Sequence, residues 1–227
     1  HYELELALSQ FPGPGEEAAP WLTDRLLRNI LVDMTGNTHR AEICIDKLYN
    51  PESPTGRLGL VELRAFEMPR HYQMAVAQVL LVRALICRFV LDPYREKLIS
   101  WSETLHDKYM LPHYLMQDLD DVLKDLSEHG MRFSREWFLP FREFRFPVLG
   151  TLHKEEVYLE LRVAHEPWHV LSVVEEGSTV SRPVDSSMER IQVKVSNLNP
   201  ERQKIIVNGV ELPLAHADRL QLLAVIK

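Results

Sequence analysis

Asn37-Thr-His-Arg-Ala-Glu-Ile-Cys-Ile-Asp46 and Leu60-Val-Glu-Leu-Arg-Ala-Phe66 decide how the first half of this chain is read. Both segments alternate charged and apolar residues, which predicts two short strands. Side chains at i and i+2 of a strand share a face. Arg40, Glu42 and Cys44 are therefore expected on one face of the first strand, and Glu62 and Arg64 on one face of the second. Ala41, Ile43, Ile45, Val61, Leu63 and Ala65 supply apolar backs. Paired through their connection, the strands would gather charges of both signs on one face. A solvated sheet with cross-strand ion pairs has the same pattern.

Around these strands the chain reads as α+β. Tyr2-Glu-Leu-Glu-Leu-Ala-Leu8 alternates like a strand, as if the sequence opened inside one, and this suggests a fragment of something longer. Residues 9–19 are rich in Gly, Pro and Glu and read as a loop. Pro20 suits a first helical turn, and Trp21, Leu22, Leu26, Ile30, Leu31 and Met34 make a helical stripe ended by Gly36. The connection Asn50–Gly59 exceeds a tight turn and is expected to be an ordered flap. From 71 to 91 a helix is apolar nearly all round, so burial is expected. Asp92-Pro93 ends it. Helices are predicted over 94–107 and 112–129, the latter ended by Gly130, and Ser134 can cap a short fourth.

Beyond residue 143 helical stripes give way to alternation: 144–151, 156–162, 168–174, 190–195, 205–207 and 220–226. Asn208-Gly209 between apolar runs marks a hairpin. The recurring turn signals predict a sandwich-like, mostly β region. The expected division is thus 1–145, antiparallel strands with helices, and 146–227, β-rich. Phe138, Phe141, Phe144 and Phe146 are candidates to anchor the two parts.

Of 227 residues, 33 are acidic and 26 are Lys or Arg, a net charge of −7. That balance disfavours general binding to nucleic acid or to anionic membranes, which needs a cationic field. No apolar run reaches the ~18 residues of a membrane span and no signal peptide is visible. Two cysteines, Cys44 and Cys87, form no disulfide framework. A reducing, cytoplasmic setting is the simplest reading. Cys87 reads as inert helix packing, and Cys44 as a thiol near Arg40 with no matched His and acid.

A carboxylate on a rigid strand can hold Mg²⁺, and neighbouring arginines can grip phosphate or carboxylate. Glu62 is the first such carboxylate and Glu42 the second. The rival motif is His165-Glu-Pro-Trp-His169, a literal H-E-x-x-H. On a helix it would bind zinc. Pro167 and the flanking strand patterns argue against a helix, and Trp168 reads as core.

Asp33–Tyr49, Gly59–Pro69, Glu166–Leu171 and Val184–Arg190 resemble a bacterial family of proposed amidoligases, found as the C-terminal part of large transglutaminase-like proteins. That family is held to be similar to glutamine synthetase and related carboxylate–amine ligases. Those ligases carry an Asn-Arg, an alternating strand, a second strand with Glu-x-Arg, then a Pro turn and a long helix. Glu62-Leu63-Arg64 matches Glu-x-Arg, and Met68-Pro69 with the helix from 71 matches the Pro turn and long helix. Thr38 and His39 separate Asn37 from Arg40, a departure from the pattern. The resemblance implies a partial glutamine-synthetase-like half dependent on ATP and Mg²⁺. In it Glu62 and Glu42 would face metal, Arg64 the phosphoryl group or acid, and Arg40 with Asn37 the nucleotide. Its partners would be a small-molecule or peptide substrate and upstream domains of the same polypeptide, which would complete the metal sites. The β-rich part would then be an accessory module. The competing expectation is a non-catalytic docking module serving an upstream transglutaminase-like domain. A ligase requires Glu62, Arg64 and Arg40 to converge.

Overall fold

The computed structural model describes residues 2–13, 15–33, 36–94, 96–165, 174–176, 179–181, 189–218 and 221–226. It is α+β, and every strand pairing among the described residues is antiparallel. Backbone packing divides the chain into two compact units, His1–Arg70 with Arg95–Ser100, and His71–Tyr94 with Trp101–Lys227. Residues 112–145 therefore pack with the strands that come after them.

The first unit opens on helix α1 (Tyr2–Leu8), where alternation predicts a strand. Leu, Glu and Ala all favour helix, and Glu3 and Glu5 in the first turn complement the helix dipole. Among the described residues no strand pairs with this segment, so its period-two alternation has no sheet to join. Helix α2 (Leu22–Leu27) is a single short segment, ending well before Gly36. Its buried Asp24 lies 2.7 Å from Arg28. Strand β1 (Ile43–Cys44) pairs with β2 (Glu62–Leu63), Ile43 opposite Leu63 and Cys44 opposite Glu62.

Between these strands the chain is ordered by side chains reaching back to it. Arg28 donates to Asn50 Oδ1 at 3.1 Å and Glu52 Oε2 at 3.2 Å. Arg57 donates to the carbonyls of Asn50 (3.2 Å) and Pro51 (2.6 Å). Gly56 sits at the closest approach, where an added Cβ would lie 2.7 Å from Asn50 Cβ and 3.0 Å from the Asp46 carbonyl. Gly56→Ala is expected to destabilise the protein by about 1–3 kcal/mol through overpacking. A lower urea midpoint would show it, and an unchanged midpoint would mean the loop gives way freely.

In the second unit, α3 (Tyr72–Leu91), α4 (Pro112–Glu128) and α5 (Leu139–Arg145) surround a core of Ala77, Leu123 and Phe138, with Leu81, Leu119, Phe133 and Phe141 against it. Phe138 and Phe141 thus anchor helix to helix. Ser134 caps the turn before α5, accepting from Glu136 N at 3.3 Å. The helix predicted over 94–107 is absent from the described residues; the chain there is irregular until a π-helical turn, Leu105–Tyr109.

Helix α3 corrects a second expectation. Its inward seam is narrow, running through Met74, Ala77, Leu81 and Arg88, and Val76, Val79, Ile86 and Phe89 stay exposed. Cys87, expected in packing, is exposed. By length and composition this helix could cross a membrane. Within the unit it is fastened to α4, because Arg88 donates to Asp125 at 2.9 and 3.1 Å. Arg88 also caps the end of its own helix by donating to the Asp92 carbonyl.

The strands of this unit are β3 (Val148–Lys154), β4 (Val157–Val163), β5 (Val174–Glu176), β6 (Thr179–Ser181), β7 (Ile191–Ser196), β8 (Ile206–Val207), β9 (Val210–Glu211), β10 (Ala215–Asp218) and β11 (Gln221–Ile226). Strand β3 starts later than the reading at 144 because α5 continues to Arg145. Five strands form one sheet in the order β10-β11-β7-β4-β3, and β5-β6 and β8-β9 are hairpins. Among the described residues this is a single sheet with hairpins. Val193 and Val195 on one face pack with Val157, Leu159, Leu161, Leu198 and Ile205. The opposite face of β4 and β7 carries Glu160, Arg162, Gln192 and Lys194, turned toward α4 and α5.

Candidate functional site

The charged corner of the first unit is built by the β1–β2 pairing and a turn beside it. Asn37 caps a 3₁₀ turn over Thr38–Arg40, its Oδ1 accepting from His39 N at 2.9 Å. The turn takes Arg40 out of strand geometry, so Arg40 does not share a face with Glu42 and Cys44 as predicted. Arg40 instead lies 3.7 Å from Asp33. The Asn37 amide also donates to Asp33 Oδ1 at 3.0 Å.

Arg64 comes directly after β2, and its amide donates to the Glu42 carbonyl at 2.7 Å, extending the pairing by one bond. Its Nη2 is 2.7 Å from Glu62 Oε2 and 2.8 Å from His39 Nδ1. Guanidinium only donates, so His39 Nδ1 accepts and the ring proton sits on Nε2. Thr38 donates to Asp46 Oδ2 at 2.7 Å on the same turn. The hydrogen bond from Arg64 holds the Glu62 carboxyl below its ordinary value, and the positive charges of Arg64 and Lys47 add to the effect. The same bond raises Arg64, and Cys44 and Asp46 contribute the same sign. The Arg64 Nε is buried and makes no hydrogen bond among the described residues.

Of the predicted site residues, the structure brings Glu62 and Arg64 together and places the Glu42 backbone against Arg64. Asn37 and Arg40 contact Asp33, and the turn that Asn37 caps carries the His39 that holds Arg64. Cys44 is buried opposite Glu62. His39 is the member that a reading by strand faces misses, although it stands inside the same segment. Its signal is position: a His next to the only turn-forming Asn-Thr of that stretch belongs to the turn, not the strand.

Mg²⁺ commonly takes one or two carboxylates and fills its octahedron with water and substrate phosphate. Glu62 and Glu42 are exposed acids of that kind. Among the described residues no three His, Cys, Asp or Glu side chains gather at metal distance. The donor set suits a cation that arrives with phosphate and does not suit an all-protein cage. For the H-E-x-x-H segment, His165 lies just past the end of β4, and its carbonyl accepts from Arg190 at 3.5 Å. Glu166, Trp168 and His169 lie outside the described residues, as do most of the two later stretches that carry the family resemblance.

A family model described as "Putative amidoligase enzyme (DUF2126)" matches residues 1–226. The chain therefore belongs to that amidoligase family. Comparison with curated proteins and with solved structures gave no match.

Proposed function

Starting from this membership, we propose that the chain carries one corner of an ATP- and Mg²⁺-dependent carboxylate–amine ligase. A substrate carboxylate attacks the γ-phosphorus of ATP, releasing ADP and giving an acyl phosphate. An amine then attacks the acyl carbon, phosphate leaves, and an amide forms. Residues of this kind serve such chemistry by positioning and charge neutralisation. Glu62, with Glu42 second, would hold Mg²⁺, which neutralises phosphate charge when bound. Arg64 would grip the phosphoryl group or the acid, and Arg40 with Asn37 the nucleotide. Upstream domains of a longer, cytoplasmic polypeptide, transglutaminase-like by resemblance, would complete the site. The β-rich part would serve as an accessory module.

The observation that carries this reading is the Arg64 guanidinium, oriented by both Glu62 and His39 at the end of β2. A fixed cation beside an exposed carboxylate can meet an anion and a metal at one place. A second reading has its own support. Glu62 is 56% exposed and already paired with Arg64, as in a surface ion pair on a non-catalytic docking module.

The test is ATP-dependent phosphate release with Mg²⁺ by the full polypeptide, over a panel of amino acids and peptides, beside Glu62→Gln. Acceptor-stimulated release that Glu62→Gln abolishes is the expected result. Equal release by both proteins would remove Glu62 from the site, and no stimulated release from the folded protein would favour the docking module.

A further inference from the structure

The sheet of the second unit turns a charged face toward its helices, where helix-on-sheet packing ordinarily buries apolar side chains. Arg162 and Gln192 on that face are almost wholly buried, at 3% and 2% exposure. Each is fixed by the helix opposite. Gln192 Oε1 accepts from His113 N, in the first turn of α4, at 2.9 Å. Arg162 donates to Glu143 and to the Phe146 carbonyl, in and just after α5, at 2.9 and 2.7 Å. These bonds hold helices and sheet apart around a cleft of about 230 Å³. That is room for several waters or one small molecule.

The charges of this cleft do not balance. Arg135 pairs with Asp120 at 2.6 Å, Arg142 with Glu143 at 2.7 Å, and Arg162 with Glu143 and Glu160 at 2.9 and 3.1 Å. Lys194 also lines the cleft, directly across the β4–β7 pairing from Glu160. Among the described residues it is the one lining cation with neither ion pair nor hydrogen bond. The four lining cations are set against three carboxylates, Asp120 and Glu160 in the lining and Glu143 paired with Arg142 and Arg162, and the surplus charge is the Lys194 ammonium. The first turn of α4 lines the same space, and the dipole of that 17-residue helix adds positive charge there.

We propose that this cleft is a binding site for a small monocarboxylate, which pairs with Lys194. One surplus positive charge calls for one negative charge. A phosphate dianion would bring a second negative charge beside Glu160 and Asp120, for which no further unpaired side-chain cation lines the cleft among the described residues. Lys194 is half-buried, and an ammonium partly withdrawn from water without an ion-pair partner is costly. Burial pushes the Lys194 amine down, and Arg142, Arg162 and Arg135 push it the same way, against Glu160. A bound carboxylate relieves both effects. The site belongs wholly to the second unit and does not depend on the roles given to Glu62 and Arg64.

The experiment is an NMR titration of the protein with acetate, propionate and pyruvate, and separately with inorganic phosphate, at constant ionic strength. Backbone amides of β4 and β7 report on the cleft. Saturable shifts with a carboxylate dissociation constant of about 1 mM are expected. Lys194→Met should weaken that binding at least about tenfold, and Lys194→Arg by less than about threefold. Lys194→Met should melt no lower than the wild-type protein, since it removes an uncompensated charge. If it fails to fold, Lys194→Gln supplies the same comparison. Absence of saturable shifts, binding that ignores Lys194, or phosphate binding tighter than every carboxylate would each overturn the proposal.

Discussion

Replacing Arg162 by alanine is expected to destabilise the protein by about 3 kcal/mol, the low end of what breaking a buried ion pair costs. The low end applies because Glu143 is about half exposed and water screens part of the loss. The guanidinium uses three nitrogens at once, on Glu143, on Glu160 and on the Phe146 carbonyl. Removing it leaves Glu160 without its ion-pair partner and Glu143 with Arg142 alone. Arg162→Lys keeps a charge but not the planar fork, so about half the loss is expected to remain. The pH dependence comes from Glu143. Burial pushes its carboxyl up, but hydrogen bonds from Arg162 and Arg142 outweigh burial and hold it below its ordinary value. A depressed carboxyl stabilises the fold above its unfolded pKa, and that stability is lost as pH falls through the folded pKa. The gap between wild type and Arg162→Ala should therefore be widest near neutrality and narrow as pH drops below about 4. Urea denaturation across that range measures it. A gap that stays constant with pH would mean that Arg162 stabilises through its packed stem and not through its charge.

Signals that are local and chemically specific read correctly from the sequence. Asn208-Gly209 takes the two positive φ angles, 51° and 82°, that a tight hairpin needs. Pro112 opens α4, Gly130 lies just past its end at φ 82°, and Asp92-Pro93 closes α3. Patterns with two physical meanings read less well. Tyr2–Leu8 alternates, but its residues are good helix formers and it becomes α1. The segment at Thr38–Arg40 alternates too, yet Asn37 caps a turn there and removes Arg40 from the predicted face. Helix α3 is apolar nearly all round, yet only a narrow seam of it is buried. The cleft at Lys194 is illegible in the sequence for a different reason. Glu160 with Arg162, and Gln192 with Lys194, alternate as any solvated strand face does. Only the folding of α4 and α5 over that face, from residues roughly 20 to 80 positions away, makes it interior.

Loss of Arg64 is the functional counterpart of loss of Arg162. Arg64→Ala is expected to lower kcat/KM for acceptor-stimulated phosphate release by about a hundredfold or more, the scale of removing one fixed charge stabiliser from a reacting centre. Arg64→Lys should fall between, since an ammonium keeps the charge but not the planar guanidinium whose fixed orientation aims Nη2 at Glu62 and His39. A second measurement separates catalysis from architecture. Because Arg64 is the main reason the Glu62 carboxyl titrates low, Arg64→Ala should shift that titration upward, as read by carboxyl-carbon NMR. The β1–β2 pairing should survive, since Arg64 contributes its backbone amide to Glu42 whatever its side chain. An upward shift with activity lost places the pair in the reacting site. The same upward shift with phosphate release unchanged would show that Glu62 and Arg64 are bonded to each other and to nothing that reacts. The charged corner would then be a docking surface, and the ligase residues would have to be sought elsewhere in the polypeptide.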